Sequence, residues 1–220
     1  SSTLGGVAYP VLSELNREEG RQLLYLRKMV KLMAFAIFPI LLGASACFDH
    51  LVLLVLTEKW MPIVPYFRLM AVGGIVIPFH SLYLNVITLK GYPKRSFLLE
   101  LIKNVLLVSP LFFLHDNIEI MLMLFSLCSV LSFCVDVCFL RRVVKYSVGE
   151  QFKDIFPYMF LSIVMACMVY SVNFLHLNIV LTLLLQIFVG VFFYLGFNHL
   201  LGSKIQQEMF HLLLKKNIKQ

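Results

Sequence analysis

The sequence predicts an all-α protein, a polytopic transmembrane helical bundle with six complete spans and the end of a preceding one. Three observations predict it. Apolar stretches long enough to cross a bilayer recur from residue 32 to residue 200. The connections between them alternate between basic and nearly free of Lys and Arg. The composition is that of a chain dissolved in lipid: 60% of residues are hydrophobic and only 14% charged, with a mean hydropathy of +0.87. A soluble domain is about 45–50% apolar and about 25% charged. In hydrocarbon the backbone must satisfy its own polar groups, and a helix does so within one segment.

The spans are read at 32–56, 66–88, 96–114, 118–140, 157–174 and 178–200. A helix rises 1.5 Å per residue, so ~20 residues cross ~30 Å of hydrocarbon. Before the first span, 14–31 is amphipathic. Asn16 and Glu19 make a helix-start pair, and Leu23, Leu24, Leu26 and Val30 interleave with Arg21, Arg27, Lys28 and Lys31. This reads as a surface helix running into the first span. The tail, 201–220, repeats the pattern with Ile205, Met209, Leu212 and Leu213 against Lys204, Lys215 and Lys216. Both ends read as interfacial anchors, or as a grip on anionic headgroups or an anionic lipid substrate. Membrane lipids are thus expected partners. The opening residues 1–12 (SSTLGGVAYPVL) read as the last turns of another apolar helix. The expectation is the C-terminal part of a longer membrane protein; a naturally short protein with a re-entrant start is the alternative.

Sidedness follows from the basic residues. Residues 14–31 hold Arg17, Arg21, Arg27, Lys28 and Lys31, whereas 57–65 hold Lys59 alone. Residues 89–95 hold Lys90, Lys94 and Arg95, and the turn at His115, Asp116 and Asn117 holds none. Residues 141–156 hold Arg141, Arg142, Lys145 and Lys153, residues 175–177 hold none, and the tail holds Lys204, Lys215, Lys216 and Lys219. Cytoplasmic loops retain Lys and Arg, which places the N-terminal loop and the tail in the cytoplasm. Sixteen of the nineteen basic residues fall on that side. The net charge of +7 therefore reflects topology, and no nucleic acid is expected as partner.

Chemistry-bearing residues are sparse. The five cysteines (Cys47, Cys128, Cys134, Cys138 and Cys167) all lie in apolar stretches and read as packing residues. No metal set, cofactor motif, phosphate loop or paired carboxylates on an accessible loop can be assembled, so no catalytic residues are assigned and an enzyme is not expected. His115 and His176 sit in the two tight outer turns without an evident joint role. Polar residues inside the spans carry more weight, because an ionisable group at mid-membrane costs roughly 2.5–3.5 kcal/mol on insertion scales. The third span holds Glu100, Lys103 and Asn104, which share one helix face at spacings of three and four. Either Lys103, about 10 Å deep by helical rise, snorkels back or pairs with Glu100, or the three line a watery cavity. The second span holds Arg68, near its outer end, with Pro78, His80 and Asn85. His80 reads as a core histidine bonded to a neighbouring helix or as a proton-coupling group. Asp136 reads as a carboxylate seeking the surface near Arg141.

The connection after the first span, Thr57-Glu58-Lys59-Trp60-Met61-Pro62-Ile63-Val64-Pro65, contains the chain's only Trp. This Glu-Lys-Trp-x-Pro-x-x-Pro run after a long apolar span resembles the polysaccharide transporters of the multidrug/oligosaccharidyl-lipid/polysaccharide exporter superfamily, the Wzx-like flippases of O-antigen or capsule units. Pro10-Val-Leu-Ser13, Phe38-Pro39, and Asn85 followed by Gly91 and basic residues are similar to further short motifs of that family. The resemblance covers residues 9–95 by motif and extends to residue 200 by topology alone. Thr57 departs from it, since Gly often precedes Glu-Lys-Trp in the family.

The resemblance implies a two-lobed flippase. Residues 1–140 would be the latter part of its second lobe, 141–200 an appended transmembrane hairpin and 201–220 a cytoplasmic tail, with the N-terminal lobe missing from this chain. It further implies a bacterial plasma (inner) membrane location. The implied function is alternating-access export of a lipid-linked (polyprenyl-pyrophosphate) oligosaccharide for O-antigen, lipopolysaccharide or other surface polysaccharide. Candidate cavity-lining residues are then Arg68, His80, Asn85, Glu100, Lys103 and Asn104, with Arg68 and Lys103 as the cations. The other readings are an integral-membrane enzyme of surface-glycan assembly (a polymerase or acyltransferase) and a multidrug-type small-molecule exporter.

Overall fold

The computed structural model describes residues 19–113, 117–175, 177–202 and 205–207; the opening segment 1–12, Asn16, His115, His176 and most of the tail lie outside them. All regular elements among the described residues are helices. Helix α1 covers Glu19–Val55, α2 Ile63–Leu89, α3 Pro93–Phe113, α4 Ile118–Val143, α5 Val148–Ser171 and α6 Ile179–Leu200. Single 3-10 turns lie at Glu58–Trp60 and Val172–Leu175. All helices but α3 are long and apolar enough to cross a membrane, five in total. Helix α3 carries Lys94, Arg95, Glu100 and Lys103 within 21 residues, so length and composition support five of the six expected spans.

The helices overrun the apolar windows. From Glu19 on, the amphipathic stretch and the first span are one helix of 37 residues. The basic connection 141–156 is mostly helix, with only residues 144–147 between α4 and α5. There Ser147 and Glu150 form a reciprocal capping box. The Glu150 amide donates to Ser147 Oγ (3.2 Å), and the Ser147 amide donates to Glu150 Oε2 (2.9 Å). Helix α2 ends where Gly91 takes a φ of +85°. The Gly91 amide reaches the Thr88 carbonyl and the Tyr92 amide reaches that of Ile87, the two bonds of a Schellman cap. At Thr57, where the resemblance leads one to look for glycine, φ is +116°. A Cβ makes that region costly.

The described residues form two compact units. The first comprises residues up to 33 and 62–156, the second 34–61 and 157 onward, so α1 and α5 each contribute to both. In the first unit α2, α3 and α4 pack against one another. Gly73 lets α4 approach α2: a Cβ there would stand 3.1 Å from Ser129 Oγ and 3.3 Å from Ser126 Cα. The Ser126 hydroxyl donates to the Leu69 carbonyl across the two helices. Small residues and hydroxyl bonds of this kind bring helices together where burying apolar surface gains little.

In the second unit, residues 34–55 of α1 pack with α5 and α6. A Cβ on Gly43 would stand 3.2 Å from Met165, and one on Gly190 3.2 Å from Val169. Phe35 meets Tyr158 edge-on and lies against Tyr194. Gln186 Nε2 donates to Asn173 Oδ1 (2.7 Å), joining the two ends of the α5–α6 hairpin. An apolar cavity of about 400 Å³ opens among Pro39, Gly43, Met165, Gly190 and Tyr194. Both units expose large apolar side chains, among them Val105, Met123, Phe188 and Phe192, as lipid-facing helices do.

Candidate functional site

The first unit contains a buried polar cluster, and the path of the helices explains it. The contacts Leu69–Ser126, Gly73–Ser129 and His80–Asp136 advance together along α2 and α4. The two helices therefore run parallel, with α3 returning between them. Their far ends consequently lie at the same end of the unit, bringing Lys90, Lys94 and Arg95 to the side of Arg141, Arg142 and Lys145. Arg95 confirms the register: its guanidinium lies 4.7 Å from the Tyr92 ring centroid and 5.7 Å from that of Phe139.

One turn row along α4 is polar and buried: Ser126, Ser129, Ser132 and Asp136. It faces α2, whose buried polar members are His80 and Tyr83. His80 Nδ1 and Asp136 Oδ2 are hydrogen-bonded. The two residues are 4% and 1% exposed, so the pair is cut off from solvent on the protein side. His80 Nε2, the Tyr83 hydroxyl and the Ser132 hydroxyl are buried without a protein partner. Phe133 stacks on Tyr83 and lies against Phe79, closing the cluster with aromatic surface.

A second group lies beyond Tyr83. Arg27 Nε donates to Asp154 Oδ2 (2.8 Å), Arg27 Nη1 to Glu150 Oε1 (3.1 Å), and Lys31 Nζ sits 3.1 Å from Asp154 Oδ1. The Tyr146 hydroxyl donates to Asp154 Oδ2 (2.9 Å), and Gln151 Nε2 donates to the Tyr146 carbonyl. Burial, with the neighbouring Tyr83 hydroxyl and the Asp154 carboxylate, pushes the Tyr146 phenol above its usual range, so it remains a proton donor. Tyr83 is fully buried on α2, three residues on from His80, with its hydroxyl bonded to neither group.

Of the six residues singled out from sequence, His80 is bonded into the buried cluster through Asp136, and Lys103 is half-buried on α3. Glu100 and Asn104 are exposed on α3 and Asn85 is half-buried on α2. Arg68 is half-buried twelve residues before His80, about 18 Å along the helix by its rise. Asp136 overturns the expectation of a surface-seeking acid: it is buried, and its partner is His80 rather than Arg141. The cysteines are all free, yet only Cys47 is buried; Cys134, Cys138 and Cys167 are exposed on their helices and so lie outside the protein packing. Sequence reading missed Tyr83, Tyr146, Arg27 and Asp154 as site residues. One signal was available: an acid within an apolar span requires a partner, and His80 was the candidate nearest the same membrane depth. Among the described residues no group of three or more His, Cys, Asp or Glu is placed to hold a metal ion.

Residues 1–65 match a family model described as a polysaccharide biosynthesis protein. The chain is also similar to a teichuronic acid biosynthesis protein, TuaB, of Bacillus subtilis (strain 168), with 23% identity over 171 residues, 76% of this chain and 35% of that protein. The chain thus spans about a third of the length of the curated relative it matches. No solved structure matches significantly. The similarities agree in pointing to polysaccharide biosynthesis, and the helices point to a membrane protein.

Proposed function

We propose that this chain is part of a carrier that moves a lipid-linked oligosaccharide across the membrane during surface-polysaccharide biosynthesis. It works by alternating access and makes or breaks no bond. The observation that carries the reading is similarity to polysaccharide-biosynthesis proteins in a chain built of membrane-length apolar helices. In this reading α3 is a sixth span, its charges tolerated because they face protein or a watery cavity. The chain is the latter part of the second of two lobes, and the remainder of the protein supplies the first. The membrane is the bacterial plasma membrane, with the basic ends of α2 and α4 in the cytoplasm.

The substrate is a polyprenyl-pyrophosphate oligosaccharide, the precursor of a surface polymer of which O-antigen and teichuronic acid are two kinds. Its pyrophosphate suits ammonium and guanidinium groups, and Lys103 and Arg68 are assigned to it. His80, Asn85, Glu100 and Asn104 belong to the polar route for the sugars, while the polyprenyl tail stays in the hydrocarbon. Carriers of this type bind near the midplane of the membrane, between repeats that rock against each other.

Complementation tests the reading. In a strain lacking the full-length protein, Lys103→Ala and Arg68→Ala versions are expected to reach the membrane normally yet restore no surface glycan. The lipid-linked precursor should then accumulate in the cytoplasmic leaflet. Full surface glycan with both variants would remove these two cations from the site. Accumulation of unjoined precursor sugars instead would identify an enzyme of glycan assembly.

A further inference from the structure

We propose that the basic end of α4 is a binding site for an anionic phospholipid, with Arg141 and Arg142 holding its phosphate and the exposed row of α4 that leads to them carrying one acyl chain. The inference needs only that α4 lies in a membrane, so it stands apart from the carrier reading.

The two faces of α4 are unlike. One is the buried polar row of Ser126, Ser129, Ser132 and Asp136. The opposite face is exposed and apolar. Leu127, Leu131, Cys134 and Cys138 are all exposed and follow one another at spacings of four, three and four, the step that keeps side chains on one stripe. The next member is Arg142, four residues past Cys138, with Arg141 beside it. Cys138, Arg141 and Arg142 together line a pocket of about 430 Å³. From Leu127 to Cys138 is about 16.5 Å by helical rise. One leaflet supplies half of the ~30 Å hydrocarbon core, about 15 Å. The row therefore has the length of one acyl chain, and the arginines stand where the headgroup would be.

Charge names the kind of lipid. Other cations of this unit are engaged: Arg27 and Lys31 by Asp154, and Arg95 by the rings of Tyr92 and Phe139. Arg141 and Arg142 are exposed in the last turn of α4, with neither an acidic nor an aromatic partner among the described residues. The helix dipole accounts for a cation in that turn. It does not account for a pocket shared by two of them and by the last member of an apolar row. Guanidinium groups suit phosphate oxygens by their planar, forked donors. A soluble phosphate would use the arginines and leave the row. An uncharged lipid would use the row and leave the arginines. An anionic phospholipid uses both.

The test reads the row directly. In the full-length protein a bimane dye is attached to Cys134, with the other cysteines replaced by alanine, and the protein is reconstituted in phosphatidylcholine vesicles. Doxyl-labelled acyl chains of added phosphatidylglycerol or phosphatidylcholine quench the dye when a chain lies on the row. Phosphatidylglycerol is expected to occupy it at least about fivefold better than phosphatidylcholine, the effect of about one basic side chain at an anionic headgroup. Arg141→Gln/Arg142→Gln should bring that ratio to about one, with the protein still eluting as folded. Lys90→Gln/Lys94→Gln, at the same end of the unit but outside the pocket, should leave the ratio unchanged. An equal loss in the lysine variant would trace the preference to the general field of the basic end and overturn the site. So would a wild-type ratio near one. Quenching by neither lipid would show that the rest of the protein covers the row, which also overturns it. Displacement of the labelled phosphatidylglycerol by polyprenyl phosphate, but not by the same amount of unlabelled phosphatidylglycerol, would give the arginines to a different lipid and overturn the occupant.

Discussion

The Tyr194 hydroxyl donates to the Phe35 carbonyl at 2.9 Å, the carbonyl that Pro39, four residues on, leaves without an amide donor. A proline inside an apolar helix would otherwise strand a polar group in a place with no water. Helix α3 answers the same problem locally: the Ser109 hydroxyl donates to the Leu106 carbonyl at 2.9 Å, the one freed by Pro110. Each proline is tolerated because a hydroxyl stands in for the missing amide.

Removing that hydroxyl should be felt only while the proline remains. Tyr194→Phe is expected to destabilise the second unit by roughly 0.6–1.7 kcal/mol, the range found for hydrogen bonds in membrane helices. Pro39→Ala restores an amide to the Phe35 carbonyl, so Tyr194→Phe should cost less in that background. Reversible unfolding in mixed micelles, read as a double-mutant cycle, measures the coupling. Additive losses would show that the two residues act independently.

Thr57 holds a φ of +116° just after the first span. Strain of this kind costs on the order of 1–3 kcal/mol, partly offset in a glycine by its greater freedom when unfolded. Thr57→Gly is expected to raise stability by up to ~1 kcal/mol, whereas Thr57→Ala, which keeps its Cβ, should gain nothing. A glycine variant no more stable than the alanine would contradict this backbone geometry.

Close approach makes two glycines unequal. Gly73→Ala places a methyl 3.1 Å from Ser129 Oγ and 3.3 Å from the backbone at Ser126, and overpacking of this order costs ~1–3 kcal/mol. Gly196 has nothing within 4 Å of its would-be Cβ, so Gly196→Ala should be neutral or stabilising by up to ~1 kcal/mol on helix propensity. Thermal unfolding of the two variants side by side decides the point.

The ion network at the start of α5 should depend on its acid more than on any one base. Asp154→Asn leaves Arg27 and Lys31 without their shared carboxylate and gives Tyr146 a weaker, uncharged acceptor; a loss of about 2 kcal/mol is expected, below the 3–5 kcal/mol of a fully buried pair because Arg27 and Lys31 are part-exposed. Glu150→Gln keeps the helix cap in part and should cost less than Asp154→Asn. A larger loss for Glu150→Gln than for Asp154→Asn would reverse the assignment.

Single cysteines introduced in a cysteine-free background check the register of α2 and α4. Lys94→Cys and Lys145→Cys are expected to react with an impermeant thiol reagent from the same face of the membrane, because the two helices run parallel. Labelling from opposite faces would break the pairing of His80 with Asp136.

The linear part is legible without coordinates: which segments are helical, which are apolar enough for lipid, and how the basic residues divide them. Each of these rests on neighbours along the chain. The capping box at Ser147–Glu150 is equally legible, and it starts α5 inside the basic connection 141–156. Facing was not legible. Helices α2 and α6 are apolar on every side, so no periodicity marks a buried stripe, and lipid accepts the same side chains as a protein core. Helix packing is what brings Asp136 to His80, 56 residues away, Asp154 to Arg27 across 127 residues, and Tyr194 to Phe35 across 159. The physical reason is that helix pairing in this chain is set by a few close-packing glycines and by polar groups that must find one another, and neither leaves a pattern in hydropathy.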